Sequence, residues 1–237
     1  SKGKFVFHYK YPPIINRRTL RESINLADEN FFYNDAVDMV DQDVLGFIFD
    51  ARNSGADIRT MEFDYSWPYP VDPEVYDGEY SEIFFVEVTI KRGVPDLSGP
   101  VNVSGGATAN EGGYNLIEIE VEVGPGVDLE DHYESIETSV RETLAHEMHH
   151  FTQTEPMQRI GCPELPDRDG DSHFDYFTSA CEVPAFNIGF RAVSSKTGAP
   201  INKIVDDYLK NFEKIGLISN EESDEIKDKW KGFRFKS

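Results

Sequence analysis

Between Asp128 and Thr152 the chain carries Ile136, Val140, Leu144, Met148 and Phe151 at steps of four and three residues. That spacing predicts one long amphipathic helix, because 3.6 residues per turn keep such positions on one side. Inside it stands Leu144-Ala145-His146-Glu147-Met148-His149-His150-Phe151. Residues four apart on a helix differ by about 40° around the axis, so His146 and His150 project toward one point. Leu144 lies about 200° from His146 by the same geometry, so the apolar stripe can be buried while the imidazoles face elsewhere. The helix must therefore pack against a core on one side and border a polar site on the other.

The rest of the chain supplies that core. Of 237 residues, 39% are hydrophobic and 13% aromatic, with 17 Phe and 11 Tyr, enough apolar surface to offset the ordering entropy of one domain over residues 1–237. Val37, Val40, Val44, Phe47 and Ala51 predict a helix from Asp35 to Arg52, stopped by Asn53-Ser54-Gly55. Arg18 to Asp28 reads as an earlier helix, and residues 4–9 as a short strand. Strands are expected over Asp57 to Tyr65, Glu82 to Lys91 and Asn115 to Val123. In the last, Ile117, Ile119, Val121 and Val123 alternate with Glu118, Glu120 and Glu122, which marks a half-buried strand. Gly93 to Gly113, rich in glycine, reads as a long loop. Further helices are expected near 181–193 and 201–215, the latter stopped by Gly216, with a charged, solvated tail to Ser237. The fold class is α+β: sheet and backing helices over 1–127, the long helix and its surroundings over 128–195, and C-terminal helices over 196–237.

Charge excludes some partners. The net charge is -21, from 44 acidic and 23 basic residues, which repels nucleic acid and anionic membrane surfaces. No apolar run approaches bilayer length, and the first residues lack the apolar core of a secretion signal, so a cytoplasmic or virion-associated protein is expected. No propeptide is recognisable. Cys162 and Cys181 are too few for a disulfide framework, and free thiols are the simpler expectation.

Imidazole suits Zn2+, and a catalytic zinc site uses three protein ligands with one position left for water. In His-Glu-x-x-His on a helix, Glu147 stands beside the first ligand, where a carboxylate can accept a proton from an attacking water. On these residues the chain resembles the zincin metallopeptidases. The metzincin branch needs Gly three residues and His six residues beyond the second histidine, and here Gln153 and Pro156 stand there. The segment Tyr176 to Ala185, with Glu182-Val183-Pro184-Ala185, resembles instead the glutamate-bearing helix of gluzincins. Over roughly 128–195 the likeness is to small metallopeptidases encoded by viruses or bacteria. It implies zinc held by His146, His150 and Glu182, a Glu147 base, and an endopeptidase acting on peptide or protein. It also implies a zincin-like fold with a small, twisted, mostly antiparallel sheet, in which Asn115 to Val123 forms the rim of the cleft. Its three glutamates and the net charge then favour basic peptide segments.

Alternatives stand beside several of these residues. Glu182 also fits a capping box with Ser179, but Pro184 would then fall at the fifth helical position, where it costs a hydrogen bond. A helix starting nearer Cys181 removes that objection, and Asp175 and His173 are the other candidates for third ligand. Tyr176 and His173 are candidates for stabilising an oxyanion, against the plainer reading of core residues. Asp167, Asp169 and Asp171 suggest a Ca2+ loop, but Gly170 sits at the fourth position instead of the sixth and no Glu stands at the twelfth, so an acidic loop is the simpler reading. The competing class of function is a non-enzymatic structural or interaction protein that retains zinc, or a calcium-dependent binding module. Glu147 discriminates, because a structural zinc site is closed by four ligands and needs no base.

Overall fold

The computed structural model describes residues 6–7, 29–50, 57–67, 82–109, 115–152 and 172–232. The helix expected over Arg18 to Asp28, the aspartates Asp167, Asp169 and Asp171, and Cys162 lie outside the described residues.

Five strands form one sheet: β1 (Val6–Phe7), β2 (Ile58–Trp67), β3 (Glu82–Arg92), β4 (Val101–Ala109) and β5 (Asn115–Val123), in the spatial order β1-β2-β3-β5-β4. Val86, Val88 and Ile90 of β3 and Ile117, Ile119, Val121 and Val123 of β5 are buried on one face. β-branched side chains at alternate positions suit this arrangement, since every second residue faces the same way. Glu118, Glu120 and Glu122 share the other face, where Lys91 pairs with Glu120 at 2.5 Å and Asn102 donates to Glu122 at 3.1 Å.

Two expectations about the sheet are corrected. It is mixed, not mostly antiparallel: β1 with β2 and β3 with β5 are parallel pairs, while β2 with β3 and β4 with β5 are antiparallel. The reason is β4, expected as part of a loop. It departs from the end of β3 and runs back along the outside of β5, so that β5 must lie parallel to β3 in the interior. Among the described residues β4 consequently forms the edge on this side of the sheet, and Asn115 to Val123 is interior and not the rim.

Two helices cover the buried face. Helix α1 (Glu29–Asp50) turns Val37, Val40, Val44 and Ile48 inward, and α2 (Tyr133–Thr152) turns Ile136, Val140, Leu144 and Met148 inward. A 3-10 turn, Glu130–His132, leads into α2, and the Asp128 carboxylate accepts the Glu130 amide at 3.0 Å. These residues and the sheet make one core, joined by Ile188 and Ala192 of α4 (Glu182–Thr197).

A second core gathers the C-terminal half. Helices α3 (His173–Thr178), α4, α5 (Ile201–Lys214) and α6 (Asn220–Gly232) meet around Phe177, Phe186, Phe190, Leu209, Ile226 and Trp230. Helix α5 stops at Gly216, whose φ of 76° is open to glycine at little cost. Helix α6 corrects the expectation of a solvated tail. Its Ser223, Ile226 and Trp230 recur at three- and four-residue steps and are buried, and Trp230 donates its indole N–H to the Phe177 carbonyl at 2.8 Å. Among the described residues no helix is long and apolar enough to cross a membrane.

Candidate metal centre

The centre is assembled from α2, α4 and the strand that passes them. His146 and Glu147 are buried, and His150, one turn on, is partly so. Helix α4 begins at Glu182, with Cys181 in the capping position, so Pro184 occupies the third helical residue, where its missing N–H breaks no helical bond. The Ser179 hydroxyl accepts the Glu182 amide at 3.1 Å, while the Ser179 amide donates to the Tyr176 carbonyl at 3.1 Å. The capping box is thus only half made, and the Glu182 carboxylate is left to meet the histidines.

It does so closely. His146 Nε2 stands 3.0 Å from Glu182 Oε2, His150 Nε2 3.6 Å from Glu182 Oε1, and the two Nε2 atoms are 3.1 Å apart. His146, His150 and Glu182 form a buried group that can hold a metal ion. The donor set fits one. Ligand atoms arranged tetrahedrally about 2.0–2.1 Å from one ion lie about 3.3 Å from each other. Glu182 Oε2, despite its nearness to His146, is buried with no hydrogen-bond partner among the described residues. The three side chains therefore aim at a common point more than at each other, as ligands of a cation do.

The neighbours hold them there. Cys181 is disulfide-bonded, which corrects the expectation of free thiols. Two cysteines in a chain of this length do not announce a bond, since pairing depends on which loop brings them together. The Cys181 sulfur lies 3.7 Å from His150 Nδ1. With Nδ1 turned to that sulfur, Nε2 is the ring nitrogen of His150 that faces the cluster. His146 is held by packing: the Phe186 ring meets it edge-on with centroids 4.5 Å apart, and its Nδ1 is buried without a hydrogen-bond partner among the described residues.

Electrostatics show a local surplus of negative charge. Burial by itself would lower the His146 pKa, but the adjacent Glu182 carboxylate and the charges of Glu147 and Glu142 outweigh burial and raise it. Burial likewise works to raise Glu182, and the two histidines overcome it, taking the carboxyl down to about 2. Glu147 is raised, chiefly by burial. The carboxylates thus favour a positive charge at this spot. His149 is pushed down to about 4 by burial and by the neighbouring His150 and His146, so it stays neutral.

Of the other candidates, Tyr176 lies near the Glu182 carboxylate, and burial together with that charge raises its pKa. His173 is buried against Phe212, ring centroids 6.5 Å apart, and Asp175 is exposed beside its cap Ser172; neither joins the cluster. Sequence reasoning misses Glu142. It lies one helical turn before His146, abuts Gly189 of α4, and is pushed up to about 7, chiefly by burial. The i, i+4 relation to His146 is the available signal.

Strand β4 completes the surroundings. A Cβ on Gly105 would sit 3.7 Å from Glu147 Cγ and 2.9 Å from the Glu118 carbonyl oxygen, so the edge strand runs against the Glu147 side chain where only hydrogen fits. No protein family, no curated protein and no solved structure matches the chain.

Proposed function

We propose that the chain is a zinc-dependent peptidase of gluzincin type, in which His146, His150 and Glu182 hold the metal and Glu147 is the general base. The observation that carries this reading is the convergence of two imidazole Nε2 atoms, 3.1 Å apart, on one carboxylate, whose Oε2 lies 3.0 Å from His146 and whose Oε1 lies 3.6 Å from His150. Two imidazoles and one carboxylate suit Zn2+, and three protein ligands leave a position open. Zinc bound there supplies a Lewis acid and lowers the pKa of a water.

The chain's own residues account for the remaining chemistry. Glu147, raised by burial and adjacent to the first ligand, accepts the proton of the attacking water and can return it to the leaving amine. Tyr176, buried near Glu182, helps to position that carboxylate. Among the described residues strand β4 pairs only with β5, so its other edge offers backbone groups to an extended peptide, with Gly105 beside Glu147. Preference for basic segments rests on the -21 net charge alone, because the glutamates of β5 are on the interior strand's far face and not along the edge.

Elemental analysis of purified protein and turnover of a quenched fluorogenic peptide library test the reading together. About one zinc per chain is expected, lost in His146→Ala. Glu147→Gln should keep the metal and lose about 10²–10⁴-fold in turnover. Equal turnover by wild type and Glu147→Gln would sink the catalytic role, and full zinc retention in His146→Ala would sink the site.

A further inference from the structure

A short turn, Ser179-Ala180-Cys181, joins α3 to α4, and its last residue immediately precedes the carboxylate that meets the histidines. Cys181 stands at the capping position of α4, where an oxygen-bearing side chain usually accepts a backbone N–H. Its side chain makes no such bond. It is buried, and its sulfur is committed elsewhere: to a disulfide, and to His150 Nδ1 at 3.7 Å. The chain has two cysteines and neither is free, so the other half of the bond is Cys162.

One covalently tethered residue is thus linked to two of the proposed ligands, to Glu182 through the backbone and to His150 through its sulfur. The remaining bonds of the turn are local. The Glu182 amide donates to the Ser179 hydroxyl at 3.1 Å, and the Ser179 amide to the Tyr176 carbonyl at 3.1 Å. Such bonds fix the shape of the turn and not its distance from α2, whereas the sulfur contact reaches across to α2 itself.

We infer that the disulfide at Cys181 is a redox switch on the metal centre: a dithiol that opens it weakens the hold on the metal, and reoxidation restores it. The inference rests on His146, His150 and Glu182 being the ligands. A thiolate of the dithiol attacks one sulfur of the protein bond, and the other cysteine leaves as a thiolate and takes up a proton. The second thiol of the reagent then displaces the first cysteine, so two electrons pass to the protein and the reagent ends as a disulfide. Opening the bond acts on both ligands. The turn that carries Glu182 loses its covalent anchor, and the sulfur beside His150 becomes an S–H, which can donate to Nδ1 where a disulfide sulfur cannot. Accepting there leaves the ring's own proton on Nε2, the nitrogen that faces His146 and Glu182.

Competition with a coloured chelator for zinc, on the full chain and well below its thermal midpoint, tests the switch. The protein is measured oxidised, after dithiothreitol treatment and removal of the reagent under nitrogen, and after reoxidation, with thiols counted in each form. Reduction without denaturant should expose both cysteines and lower zinc affinity about 10–100-fold, the range for groups that support metal ligands. Reoxidation should restore it. Cys162→Ser, which leaves Cys181 as a thiol, should match the reduced wild type and respond to neither reagent. A disulfide that only stabilises the fold would lower the thermal midpoint and leave the competition unchanged below it. Unchanged or raised affinity with both thiols counted therefore overturns the inference, as do thiols that appear only in denaturant. If Cys162→Ser does not fold, the reduced and reoxidised wild type decides. Failure of the oxidised chain to bind zinc would overturn the metal centre itself, a result distinct from retention of zinc after reduction, which overturns the switch alone.

Discussion

Gly105 of β4 and Thr143 of α2 approach so closely that a methyl group on the glycine would collide with Thr143 Cγ2 and stand 2.9 Å from the Glu118 carbonyl oxygen. Strand and helix pack tightly here, one turn before Glu147. This contact sets the distance between the edge of the sheet and the candidate metal centre. Gly105→Ala should therefore destabilise the fold by about 1–3 kcal/mol, the usual range for overpacking. Thr143→Ala combined with it should restore only part of that loss, because the Glu118 carbonyl cannot retreat as a methyl group can. Urea unfolding of the two single variants and the double variant gives the coupling directly.

Tyr176 and Glu182 form the second relationship with a measurable consequence. The tyrosine stands near the carboxylate proposed as third ligand, so Tyr176→Phe removes a neighbouring hydroxyl without removing a ligand. Metal affinity, read by competition with a coloured chelator, should fall about ten-fold. An unchanged affinity would leave Tyr176 as core packing against Phe177 and Phe186, which it also touches.

The sequence makes the approach of Glu182 to the histidines legible for a simple reason: both sides of the contact are helical. Four-residue spacing aligns His146 with His150, and Pro184 dictates where α4 can start. Strand β4 is not legible, because Val101–Ala109 has two adjacent glycines and small polar residues, a composition that reads as loop. Those same small residues are what let the strand lie against α2. Helix α6 hides its character in another way, since Ile226 and Trp230 are its main apolar anchors among many charges, and their burial depends on Phe177 and Phe186 arriving from elsewhere. The pairing of Arg141 with Asp41, a hundred residues earlier, leaves no periodic trace at all.

Trp230 offers a direct test of the second core. Its ring stacks on Phe186 with centroids 4.9 Å apart and lies 5.9 Å from Phe177, and its indole N–H is bonded to the Phe177 carbonyl. Trp230→Ala should cost about 3–5 kcal/mol in thermal or denaturant unfolding. A loss under about 0.5 kcal/mol, the level of a surface substitution, would return this segment to the solvated tail that its charges suggest.

Asp41 should leave a signature in how stability depends on pH. Burial pushes its carboxyl from 3.8 up to about 6, with Arg141 and Lys196 opposing and Glu137 reinforcing the rise. The folded chain then holds this proton more tightly than the unfolded chain does. Between about pH 4 and pH 6 the unfolded state therefore binds fewer protons, and the stability contributed by the protonated carboxyl declines as pH rises. The decline amounts to something on the order of 3 kcal/mol, at about 1.4 kcal/mol per pH unit, and ends above the folded pKa. Asp41→Asn has no proton to release, while the other carboxylates titrate in both proteins. Wild-type stability minus that of Asp41→Asn, from urea unfolding at pH 4, 5, 6 and 7, should fall across this window and level off near pH 7. A flat or rising difference would mean that Arg141 compensates Asp41 fully, and that the buried carboxylate bears no uncompensated charge.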